Sequence, residues 1–281
     1  MENTDIPPDE KLIEYIKNLP SNQDTQSDSN KFFEIIYKIS NGDVNIENFI
    51  MAKEWLKLAK DDLETSKLLY DNKHYRNSIF LLQQSVEKTV KAYYTAFSLI
   101  PKKQIRKIGH KTPLAFVKLL KQEWVGPFIA LVNKQYSSSL NKNIEILENL
   151  INNKDDEMAL MNEEEISKFL SLCNIYDDNT QFMNFLSYYN SSEKQIITDR
   201  INMGLACLSS LITLSIISLI TYSHITYTRY PDEKIKPDVY NENLGIVKKS
   251  KEIFELVDKA IYNLEKTIDK LEETFTNIRG D

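Results

Sequence analysis

The chain has 281 residues, 42% of them hydrophobic, with 41 acidic against 35 basic side chains and a formal net charge of −6. That apolar fraction supports a packed core and excludes whole-chain disorder. Its six glycines, at 42, 109, 126, 204, 245 and 280, never cluster, which excludes the glycine-rich phosphate loops. Scarce glycine with abundant Leu, Lys, Glu and Ile points to an all-α fold.

In chain order, the first 45 residues read as an appendage. Leu12, Ile13, Ile16 and Leu19 have helical spacing, the polar run 20–30 reads as a flexible linker, and a short helix is expected over 31–39. From 46 to 72 one long amphipathic helix is expected, with Trp55, Leu56, Ala59, Leu63, Ser66 and Leu69 at steps of three and four. A second helix runs from Tyr75 to Leu99 and stops before Pro101, so the two form an antiparallel hairpin. A third is expected over 113–122 after Gly109.

Residues 124–192 change character. Over 142–199 twelve acidic residues face four basic ones, and short helices are expected near 141–152, 162–174 and 180–189. This reads as an acidic helical insert. Residues 193–281 then carry a helix to about 227, a break at Arg229-Tyr230-Pro231-Asp232, and a final amphipathic helix over about 242–274. No charged residue occurs from Ile201 to Tyr227. Such a run is either a buried core helix or a membrane anchor at 201–223. Its seven Ser and Thr between 209 and 223 are expected to bond back to carbonyls one turn earlier if the helix is buried.

Cys173 and Cys207 stand apart with no ligand-spaced histidine, so neither a zinc site nor a disulfide framework is expected. No metal or cofactor is assigned. The acidic, polar N-terminus lacks the pattern of a secretory signal, which makes the cytoplasm the expected compartment.

The charge is segregated. Residues 88–122 contain nine basic residues and no acidic one. The densest part holds Lys102, Lys103, Arg106, Lys107, His110 and Lys111. Such a patch in an acidic chain suits a phosphate-bearing partner, nucleotide or RNA, through charge-assisted contacts and counterion release. On the second helix, Gln84, Glu87, Lys88 and Lys91 share one stripe.

Residues 52–91, with their Tyr75…Phe80…Gln83-Gln84-x-x-Glu87-Lys88-x-x-Lys91-Ala92 pattern, resemble the opening hairpin of HEPN domains (higher eukaryotes and prokaryotes nucleotide-binding). Gly109-His110 is similar to the family's third-helix entrance, and 227–240 to the RYPD stretch that opens the last helix in one branch. The resemblance implies an up-and-down helical bundle, with 46–123 and 193–281 as its two parts and 124–192 inserted. It also implies a buried rather than membrane-bound 201–227, a homodimer, a cleft bordered by Arg229, Tyr230 and Asp232, and a nucleotidyltransferase partner in toxin–antitoxin or defence settings.

The family's ribonucleases carry an Arg, four to six residues, then a His near the start of the last helix. Here no His follows Arg229, and His224 precedes it. The expectation is therefore a binding protein without catalytic residues. Two alternatives stand beside it: a metal-independent ribonuclease using a displaced Arg106/His110 pair, and a membrane-associated protein anchored by 201–223.

Overall fold

A computed structural model describes residues 46–97, 159–171, 173, 191–230 and 235–279, with single positions at 105, 113 and 145. The N-terminal appendage, the expected third helix over 113–122 and most of the acidic insert lie outside the described residues. Every regular element among the described residues is helical. These are α1 (Ile46–Asp71), α2 (Tyr75–Ala96), α3 (Glu163–Ser171), α4 (Ser191–Tyr222), α5 (His224–Tyr227), a 3₁₀ turn at Pro237–Val239, and α6 (Gly245–Arg279).

The four long helices form an up-and-down bundle. α1 adjoins α2 and α6, and α4 adjoins the same two from the opposite side. The seam begins in the pattern of α1. Large apolar residues recur every seven at Phe49, Leu56 and Leu63, and small ones every seven at Ala52, Ala59 and Ser66, all buried. This heptad faces the partner helices continuously, and its small members let another backbone come close. The close approach is visible in the hydrogen bonds. The Ser85 hydroxyl donates to the Ala59 carbonyl at 2.7 Å, and the Ser66 hydroxyl donates to the Ser78 carbonyl at 2.7 Å.

One residue beyond each small position stands a lysine. Lys53 pairs with Glu272 and Asp269, Lys60 with Glu265 at 2.7 Å, and Lys67 with Asp258 at 3.3 Å. Each step of seven up α1 meets a step of seven down α6. The two helices are therefore antiparallel and in a single register. Partly exposed pairs of this kind stabilise by only about 0.2–1 kcal/mol each, so they select the register more than they hold the bundle.

The α1–α2 turn is tight. His74 N–H donates to the Leu69 carbonyl at 2.8 Å and Lys73 N–H to the Tyr70 carbonyl at 2.9 Å. This is the Schellman closure of a helix end, which places its linking residue in the left-handed region. Here that residue is Lys73, with φ of 62°.

α4 is the central helix. Every residue from Ser210 to Thr221 is buried, on all sides of the helix. Ser210, Ser215 and Thr221 donate to the carbonyls of Ala206, Leu211 and Ile217, four residues back, and Ser218 to Ser215, three back. Their hydroxyls thus find partners without leaving the helix. No helix among the described residues is long and apolar enough to cross a membrane. The anchor alternative for 201–223 loses its physical basis to this finding. The expected single helix from 193 to 227 is interrupted at Ser223, with α5 continuing beyond.

α3 docks on the start of α6. Asn162 caps it: its side-chain oxygen accepts from the N–H groups of Glu164 and Glu165, and the Glu165 carboxylate accepts from the Asn162 N–H. Gly245 lies so close that a Cβ there would meet the Met161 carbonyl oxygen at 2.1 Å. Cys173 and Cys207 are buried and free, and burial pushes their thiols up to about 12 and about 11. Cys207 donates to the Thr267 hydroxyl, tying α4 to α6.

Two stability results are expected. Leu214→Ala, at a fully buried site of α4, destabilises by about 2–5 kcal/mol in urea titration. Lys73→Gly relieves the left-handed strain and stabilises by about 1 kcal/mol in the same assay.

Candidate functional site

The up-and-down order brings four features to one end of the bundle: the α1–α2 turn, the first turns of α2, the α4–α5 junction, and the segment leading into α6. Tyr70 anchors this end. Its ring meets Tyr75 edge-on at 5.3 Å and Phe254 at 5.7 Å, joining α1, α2 and α6.

The sequence candidates fare differently. Lys102, Lys103, Arg106, Lys107, His110, Lys111 and Asp232 lie outside the described residues. The α2 stripe is described, and its polar groups satisfy one another. Lys88 pairs with Asp62 across the hairpin. Lys91 bonds Glu87 at 2.6 Å, both only about a tenth exposed, with the ammonium 5.2 Å from the centre of the Trp55 ring. Gln84 donates to the Gln83 side-chain oxygen at 2.6 Å. These pairings make the stripe structural: buried charge is tolerated because it is paired.

Arg229 and Tyr230 sit at this end, both exposed. The Arg229 guanidinium lies over the face of Phe80, 4.9 Å from the ring centre, which fastens the corner after α5 to the head of α2. One turn before Phe80, on the same face of α2, stands Arg76. Its Nε is buried and has no hydrogen-bond partner, and no acidic side chain among the described residues pairs with its guanidinium. Arg76 was not singled out by sequence reasoning. The signal in the sequence was its i,i+4 relation to Phe80, but only the fold shows that Arg229 returns to that face.

Beside Arg76 is Tyr240. Burial raises its phenol above the ordinary value, and the positive charge of Arg76 opposes that rise. Tyr240 OH shares a 2.9 Å hydrogen bond with His224 Nδ1, and the two rings meet edge-on. His224 is fully buried, and desolvation lowers its imidazole from the ordinary value to about 3. It is therefore neutral at physiological pH. The bond to Tyr240 ties His224 at the α4–α5 junction to the approach to α6. Next to it in the chain, the Ser223 hydroxyl is buried without a partner. Among the described residues no cluster of His, Cys, Asp and Glu could hold a metal ion.

The His224 shift has a definite sign in stability. An unfolded histidine binds its proton near pH 6.5, and the folded one resists it down to about 3. Between these values the unfolded state holds more protons, so stability is lost as pH falls. From pH 7 to pH 5 the wild type is expected to lose about 2 kcal/mol through this group. His224→Gln, which does not titrate, removes that part of the pH dependence in paired thermal melts.

Comparison with known proteins bears on the same hairpin. Residues 52–174 match the model of the HEPN domain. The match runs through α1, α2 and α3, enters the segment read as an insert, and ends before α4 and the RYPD stretch. A segment of 45 residues is 47% identical to the Methanocaldococcus jannaschii protein named "Putative toxin MJ1304". That segment is 16% of this chain and 30% of the other, so the chain spans under a third of the length of this curated relative. No solved structure matches the chain. Over residues 52–174, a stretch opened by the α1–α2 hairpin, the chain is therefore similar to the HEPN domain.

Proposed function

We propose that this protein is a toxin-like, nucleotide- or nucleic-acid-binding HEPN protein that acts through binding rather than through phosphodiester cleavage. The observation that carries the reading is the packing of Arg229 on Phe80. It gathers the Arg229 guanidinium, the head of α2 and the approach to α6 at one end of the bundle. A guanidinium held over an aromatic face is stiffened for planar contact with a phosphate. The acid-free run from 88 to 122 supplies further cations in the same chain. The HEPN match and the toxin-named relative support a nucleotide-related, toxin-like role.

The binding form is proposed to be a homodimer, with a nucleotidyltransferase as cognate partner and the cytoplasm as its compartment. Two of the three histidines support the non-catalytic reading. His224 is neutral, buried and bonded to Tyr240. His110, three residues after Arg106 in the basic run, has non-family spacing. The displaced Arg106/His110 pair remains the rival for cleavage.

Two outcomes are expected. Single-stranded RNA incubated with the protein in excess chelator stays intact. Cleavage by the wild type that disappears in His110→Ala would replace the binding reading with the ribonuclease. In fluorescence anisotropy, RNA binding weakens steeply with salt. Replacing Lys102, Lys103 and Arg106 by Gln flattens the slope by about one unit for every phosphate no longer neutralised. No binding to RNA or nucleotide at low salt would contradict the proposal.

A further inference from the structure

We propose that Arg76, together with Arg229 and the Tyr240 hydroxyl, forms the phosphate-binding centre of the bundle head. This deepens the binding reading above, on which it rests, by assigning the ligand group and the residue that receives it. The ligand is a phosphate group, carried either by a mononucleotide or by an RNA chain.

The reasoning starts from an uncompensated group. Among the described residues Lys53, Lys60, Lys67, Lys88 and Lys91 each face a carboxylate. Arg76 does not, although its Nε is buried. A buried donor without an acceptor costs roughly 1–3 kcal/mol. Arg76 is also permanently charged, so it cannot shed a proton to escape that cost. The bundle therefore holds in place a buried Nε–H donor that lacks an acceptor.

What surrounds it fits an anion with several oxygens. Arg76 and Phe80 are one turn apart on one face of α2, and Phe80 carries the exposed Arg229 guanidinium on its ring. Tyr240, close enough for its phenol to feel the Arg76 charge, presents a hydroxyl already positioned by neutral His224. Two guanidinium groups and a hydroxyl are donors that a phosphate accepts together, and a single carboxylate has fewer oxygens to offer them.

The test uses the full-length protein, adenosine 5′-monophosphate, adenosine, and fluorescein-labelled single-stranded RNA as probes. Arg76→Met keeps the aliphatic stem and removes the guanidinium. The expected result is about a tenfold or greater loss of affinity for the phosphate-bearing probes. Its melting temperature should equal or exceed that of the wild type, which a purely structural arginine would not give. Adenosine should bind neither form. Displacement of RNA by the mononucleotide assigns the site to a terminal phosphate. Binding of RNA alone assigns it to the chain's phosphodiesters. Wild-type affinity in Arg76→Met would overturn the site and leave the broader binding reading standing, whereas no binding by the wild type would overturn both. Should Arg76→Met fail to fold, the Arg76 Nε–Hε resonance of the wild type decides. It shifts on titration with the phosphate probe if the site is there, and an unmoved resonance in a protein that binds the probe overturns it.

Discussion

The close packing between α1 and its neighbours is the constraint on which the rest depends. Ala52, Ala59 and Ser66 recur at seven-residue intervals between Phe49, Leu56 and Leu63. The small members allow α2 to approach until the Ser85 hydroxyl reaches the Ala59 carbonyl and Ser66 reaches the Ser78 carbonyl. The lysines that follow them fix α6 in register through Asp269, Glu272, Glu265 and Asp258. A one-residue slip of α6 would separate all three lysines from their carboxylates at once. Hydrophobic burial supplies most of the energy, since exposed ion pairs contribute little. The lysine ladder supplies uniqueness.

That register has a spatial consequence. With α1 and α4 running one way and α2 and α6 the other, the end of α1, the start of α2, the end of α4 and the approach to α6 meet at one place. Arg76 and Phe80 are far in the chain from His224, Arg229 and Tyr240 but neighbour them here. Two kinds of buried polar group occur in this bundle. Glu87 with Lys91 and Lys88 with Asp62 are satisfied within the chain and so stiffen it. Arg76 Nε and Ser223 Oγ are not satisfied, and both lie at the same end.

The helices were legible in the sequence because their apolar spacing is long and regular. The hairpin over 46–72 and 75–99 appears as Ile46–Asp71 and Tyr75–Ala96, and the expected helix over 162–174 as Glu163–Ser171. The back-bonding of Ser210, Ser215 and Thr221 was legible too, because a charge-free buried helix leaves their hydroxyls few other acceptors. The break at Ser223 was not, since no proline or glycine marks it. In the candidate site, Arg229 stood out because of the motif around it. Arg76 did not, because an unsatisfied Nε becomes visible only once the chain is folded. The Gln84–Glu87–Lys88–Lys91 stripe gave the opposite lesson. Its spacing announced a polar face, and the fold resolves that face into pairs internal to the bundle.

The most direct test of the account is hydrogen–deuterium exchange on the wild-type protein with and without a phosphate-bearing nucleotide or RNA. If the bundle head is the binding end, added protection concentrates in the peptides covering 72–80 and 223–245, while the shaft of α1 and α6 is unchanged. Protection confined to the opposite end of the bundle, or spread evenly over all four long helices, would contradict the assignment of function to this end.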